Sequence, residues 1–118
     1  MDMTMAEILF FSGARDCLPL YETLRRRILA ACPGTQVIVS KTQIAFAVKY
    51  RFAFASLRGK RLIVTFGLPE RVDSPRIWQA VEPYPGRWTH HVRVNGPEEI
   101  NEELMGWIER AWSFAMRK

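Results

Sequence analysis

Residues 52–68 read Phe52-Ala53-Phe54-Ala55-Ser56-Leu57-Arg58-Gly59-Lys60-Arg61-Leu62-Ile63-Val64-Thr65-Phe66-Gly67-Leu68. Two β-prone runs flank Arg58-Gly59-Lys60-Arg61, the pattern of a hairpin connection. Pairing Leu57 with Leu62 fixes the register, and opposite residues then share a face. One face carries Ala53, Ala55, Leu57, Leu62, Val64, Phe66 and Leu68, all apolar, and is expected to pack on helices. The other carries Phe52, Phe54, Ser56, Ile63, Thr65 and Gly67, mixing aromatic, polar and small side chains. A three-residue loop would exchange the two sets.

Outward from this hairpin, Val37-Ile38-Val39 is a β-branched run and Ile44 to Val48 a second candidate strand. Trp88 to Val94 alternates in the same way. Short links between successive strands imply an antiparallel meander. Residues 69–87 contain Pro69, Pro75, Pro83, Pro85 and Gly86 and read as a long connection, with room for one helical turn after Ser74-Pro75.

The spacing predicts a helix over Leu18–Ala31. Asp16 is a candidate cap, Pro19 suits the first turn, and Cys32-Pro33-Gly34 ends it. Leu20, Leu24, Ile28 and Ala31 recur on one side, and Arg25-Arg26-Arg27 reads as an exposed rim. A last helix runs from Glu98 or Asn101 to Met116. Its apolar arc, widened by Met105, Trp112 and Met116, spans roughly 200° at about 100° per residue. A second helix or a partner subunit is needed to cover it. The expected architecture is a single α+β domain over residues 1–118, an antiparallel sheet of four to five strands with an N-terminal and a C-terminal helix packed on one face.

Composition permits such a core. The 118 residues are 48% hydrophobic and 25% charged, so neither disulfide nor metal is required for folding. Cys17 and Cys32 lack a C-x-x-C spacing and read as reduced, buried thiols, with a Cys17–Cys32 bridge as the alternative. The longest early apolar run, Ile8 to Phe11, is too short for a membrane span or a signal segment, so the expected location is the cytoplasm, with no membrane partner.

The net charge of +5 is unevenly spread. Residues 1–40 balance to zero, residues 41–93 carry +7, and residues 94–118 carry −2. A local positive field favours phosphates, carboxylates or nucleic acid; a simply solvated basic surface is the plain alternative.

Among chemistry-bearing residues, the pair His90-His91 invites a metal reading. Neighbouring strand residues point to opposite faces, and no cysteine or acidic cluster completes a shell, so no metal site and no cofactor is expected. Valines 92 and 94 choose the core side. His90 then belongs at the core edge, hydrogen-bonded to backbone. Thr89, His91 and Arg93 project together on the other side, where a guanidinium fork suits phosphate or carboxylate. Lys41 and Thr42 at a strand end are further candidate anion contacts. Phe52 and Phe54 are either core or stacking platforms for bases. Gly-rich phosphate loops, nucleophile elbows and carboxylate dyads are missing. An enzyme using His91 as acid or base is the weakest reading, because His91 has no named partner.

Two segments resemble a bacterial family. Lys41-Thr42-Gln43-Ile44-Ala45-Phe46 followed by Arg51-Phe52-Ala53 is similar to its KTxIAF…RFA segment, and Trp88-Thr89-His90-His91-Val92-Arg93-Val94 to its WTHHVRL segment. Pro97-Glu98-Glu99-Ile100 and Glu103-Leu104 fit its last helix start. The family is domain of unknown function 5655. The resemblance implies a compact helix–sheet–helix domain, alone or fused to other domains, and assigns neither activity nor site. Lys49-Tyr50 departs from the glycine-containing turn of that family. The expectation is therefore a binding module for an anionic small molecule or nucleic acid through Lys41, Thr42, Thr89, His91 and Arg93. The alternative is a homodimer formed through Met105, Trp112 and Met116.

Overall fold

A computed structural model describes residues 2–117. The chain opens with a short helix, α1 (Met5–Phe10). Thr4-Met5-Ala6-Glu7 is a capping box: the Glu7 N–H donates to the Thr4 hydroxyl at 3.2 Å, and the Thr4 N–H donates to the Glu7 carboxylate at 2.9 Å. The expected helix over Leu18–Ala31 is present as α2 with Pro19 in its first turn. Asp16 does not cap it. Residues 15–17 form a 3-10 turn that runs straight into α2, leaving no extended residue from which a side chain reaches back to the helix amides. At the other end Gly34, with φ of +81°, takes the left-handed turn that leads into the sheet.

Six antiparallel strands follow: β1 (Gln36–Val39), β2 (Ile44–Ala47), β3 (Arg51–Arg58), β4 (Arg61–Leu68), β5 (Ile77–Tyr84) and β6 (Arg87–Val94). Their order in the sheet is β1-β2-β3-β4-β6-β5. The central hairpin has the expected register, Leu57 opposite Leu62 through Ala53 opposite Phe66. Gly59, with φ of +63°, takes the first central position of its two-residue turn.

Three expectations change. β5 lies within the segment read as a proline-rich connection. It is an edge strand paired only with β6, and an edge tolerates Pro83 because that residue need not donate into a second ladder. The sheet is not a simple meander, since β6 inserts between β4 and β5. Phe52 leaves the face that alternation assigns it. The β2–β3 ladder shifts between Phe46 and Ala47, opposite the start of β3, and Phe52 is buried in the hydrophobic core. That bulge accompanies a turn built without glycine, closed by the Val48 N–H donating to the Tyr50 carbonyl at 3.0 Å.

Helix α3 (Glu102–Arg117) begins where the Asn101 side chain accepts from the Leu104 N–H at 3.1 Å. It packs on β3, β4 and α2. The wide apolar arc is therefore covered within the chain: Met105 is buried, and Trp112 is half-buried with its indole N–H donating to the Pro33 carbonyl at 3.3 Å. Of the three residues expected at a dimer contact, Met116 alone is exposed.

The Arg25–Arg27 run is not an exposed rim. Arg25 is 4% exposed and its Nε donates to the Glu7 carboxylate at 2.7 Å. The Tyr21 hydroxyl donates to the same carboxylate. Arg27 bonds the Ile100 carbonyl and Glu102, and only Arg26 lies free at the surface. Cys17 and Cys32 are free, buried thiols; burial pushes both up in pKa, Cys32 to about 12. No helix among the described residues is long and apolar enough to cross a membrane.

Candidate functional site

Helices cover one face of the sheet and leave the other open. Strand alternation in β6 sends His90, Val92 and Val94 into the core and Arg87, Thr89, His91 and Arg93 outward. The two histidines part as expected. His90 is fully buried, stacked on Phe66 at 5.0 Å, and its Nε2 accepts from the Val72 N–H at 2.9 Å. Nδ1 therefore carries the proton, and it is buried with no partner among the described residues. Burial holds His90 below the ordinary histidine range. Burial also lowers His91, whose Nδ1 lies 2.9 Å from the Thr65 hydroxyl. Both rings are therefore neutral at pH 7, and the positive charge of this face comes from arginine and lysine.

Arg93 meets a partner that the sequence did not announce. Its guanidinium lies 4.4 Å from the centre of the Trp78 ring, and Arg58 lies 4.7 Å from the same ring. The His91 ring stands edge-on to that indole at 6.3 Å. Trp78 sits at the ladder shift between Ile77 and Gln79 of β5, which turns its side chain onto the outer face. The cation–π geometry holds both guanidiniums upright at the margin of the sheet. Arg58, Lys60, Arg61 and Arg93 together line a recess of about 350 Å3.

A second recess of about 550 Å3 lies at the opposite end of the same face, lined by Ile38, Lys49, Tyr50, Phe54, Tyr84 and Arg87 among others. Ile38 belongs to one edge strand and Tyr84 to the other. In a flat sheet five strand spacings would hold those edges about 24 Å apart. Sharing one recess requires the sheet to curl, so the open face is concave.

Between the recesses the floor is Ile63, Thr65, Gly67, Thr89 and His91. Gly67 gives the Arg87 side chain room against the strand: a Cβ there would stand 2.7 Å from the Arg87 guanidinium. The Gly67→Ala protein is expected to keep its stability within about 1 kcal/mol, since the flexible end of Arg87 swings aside. A displaced Arg87 Nε–H resonance with an unchanged denaturation midpoint checks this.

The charge pattern of the outer face is one-sided. Arg25, Arg27, Arg76 and Arg110 each pair with a carboxylate, Glu7, Glu102, Glu103 and Glu70 respectively. Among the described residues Arg58, Arg61, Arg87 and Arg93 make no ion pair. The one acid in any strand, Glu82, accepts from the Gly86 N–H at 3.3 Å in the tip of its own hairpin.

Thr89, His91 and Arg93 are thus brought together with Trp78 and Arg58. Lys41 and Thr42 are not brought to them: both are exposed in the β1–β2 turn, and β3 and β4 lie between β2 and β6. Among the described residues no group of three or more His, Cys, Asp or Glu side chains could hold a metal ion. The site residues missed from sequence are Trp78, Arg58, Arg61 and Arg87. The register of the central hairpin already places Arg58 opposite Arg61 on the outer face. Trp78 and Arg87 had no such signal while β5 read as a loop.

The family model for a domain of unknown function, DUF5655, matches residues 9–115. The chain belongs to the DUF5655 family. In this DUF5655 domain the adjacent histidines His90 and His91 lie on opposite faces of β6. Neither the curated proteins nor the solved structures contain a match to it.

Proposed function

We propose that this DUF5655 domain binds an anionic ligand, carrying phosphate or carboxylate groups, on its concave outer face. The observation that carries the reading is the clamp of Arg58 and Arg93 on Trp78, at 4.7 and 4.4 Å, on a face where the arginines lack acidic partners. Four arginines off this face, Arg25, Arg27, Arg76 and Arg110, are neutralised by carboxylates. Arg58 and Arg93 are instead oriented by an aromatic ring, which leaves N–H groups available. A charge-assisted hydrogen bond contributes roughly 1.5–3 kcal/mol, so each guanidinium is able to supply a tenfold or larger share of affinity.

Tripolyphosphate titrated by calorimetry at several salt concentrations tests the reading. Binding that weakens with salt, and weakens at least tenfold further in Arg58→Ala combined with Arg93→Ala, is expected. Binding absent at low salt would overturn it.

A further inference from the structure

We infer that the ligand of this face is a single-stranded nucleic acid, laid along β6 with its phosphates on the arginine recess and its bases on the aromatic recess. The inference rests on the anion-binding reading and adds a ligand class to it.

The juxtaposition of two unlike recesses on one face carries the inference. The arginine recess holds four cations and no acid. The aromatic recess holds Tyr50, Phe54 and Tyr84 beside Lys49, Arg51 and Arg87. Arg87 and Arg93 stand six residue steps apart on β6, about 20 Å of strand. A small anion is satisfied by one cluster of donors and leaves the second recess unused. A ligand with anionic groups repeating along its length, and flat apolar groups between them, uses both.

Tyr50 and Tyr84 are 46% and 50% exposed. Ile38 and Val81 are also exposed and share the face. Half of the exposed large hydrophobic residues therefore gather here; the rest are Met5, Ile8 and Leu9 on α1 and Met116 on α3. Exposed rings on a basic sheet offer stacking surfaces for unpaired bases, each base adding about 1–3 kcal/mol. A duplex keeps its bases stacked inside and cannot use them. The floor of Thr65, Gly67, Thr89 and His91 between the recesses carries no acid to repel a phosphate.

The test measures fluorescence anisotropy of labelled oligothymidylate and oligouridylate, a duplex of equal length, and displacement by tripolyphosphate. Single strands are expected to bind more tightly than the duplex. Tyr84→Ala should weaken single-strand binding roughly 5- to 150-fold with tripolyphosphate affinity unchanged, and Tyr84→Phe should restore it. Arg58→Ala with Arg93→Ala should lower the salt slope by about 1.4, two phosphate contacts at about 0.7 each. Equal binding of single strands, duplex and tripolyphosphate, indifferent to Tyr84→Ala, would overturn the single-strand inference and leave anion binding standing. No binding of any polyanion would overturn both.

Discussion

Glu7→Ala is expected to destabilise the fold by about 3–5 kcal/mol, the cost of leaving a buried charge without its partner. Glu7 is 1% exposed and sits between α1 and α2. Its carboxylate caps α1, accepts from the Tyr21 hydroxyl, and accepts from Arg25 Nε at 2.7 Å. Removing it takes the carboxylate from a buried guanidinium, for which the Asp2 carbonyl at 3.2 Å is a neutral acceptor and no replacement for the charge. Replacing both partners, Glu7→Leu with Arg25→Met, is expected to recover part of the loss, because no charge is then left buried without its partner, while the Tyr21 hydroxyl still loses its acceptor. Urea denaturation of the three proteins checks the ordering.

The same carboxylate shapes the acid limb of stability. Burial alone would raise its pKa, but the Thr4 N–H, the Tyr21 hydroxyl and Arg25 outweigh burial and hold it below 4.5. A depressed folded-state pKa means that the stabilisation is complete above the unfolded value. It is lost as pH falls from about 4.5 through the folded pKa. The Glu7→Ala protein should therefore show a flatter decline over that window than the wild type, and its deficit should be greatest near neutrality.

Phe66→Ala is expected to cost about 3–5 kcal/mol by cavity formation. Phe66 is fully buried in the middle of β4, stacked on His90 at 5.0 Å and on Trp107 of α3 at 5.6 Å. It ties sheet and helix together and covers one face of the buried His90 ring. Phe54→Ala is the control from the outer face, where the ring is half-buried beside the aromatic recess. It should cost appreciably less stability. A larger loss at Phe54 than at Phe66, measured by thermal unfolding, would reverse the assignment of the two faces.

Much of this was written in local chemistry. The turn at Gly59 fixed the register of the central hairpin, and two valines decided which histidine enters the core. What alternation could not reveal was long-range. β5 hid behind its prolines, and Trp78, the residue that organises the arginines, was hidden with it. Arg25 read as surface because its partner comes from a six-residue helix marked only by the capping box Thr4-Met5-Ala6-Glu7. Phe52 changed sides through a bulge whose position depends on the β2–β3 turn. Lys41 and Thr42 read as site residues because sequence gives no strand order, and the order β1-β2-β3-β4-β6-β5 sets them apart.

The irregular outline of β5 also bears on how copies of this protein behave when concentrated. A sheet ends in unpaired amides and carbonyls that invite another chain to extend the ladder. On one margin this sheet offers four residues of β1; on the other it offers a strand broken by two ladder shifts, with Pro83 near its tip. Neither presents a long, even row of donors and acceptors. An open curved face can thus remain available to a partner in a crowded solution without the sheet growing, strand upon strand, into a fibre.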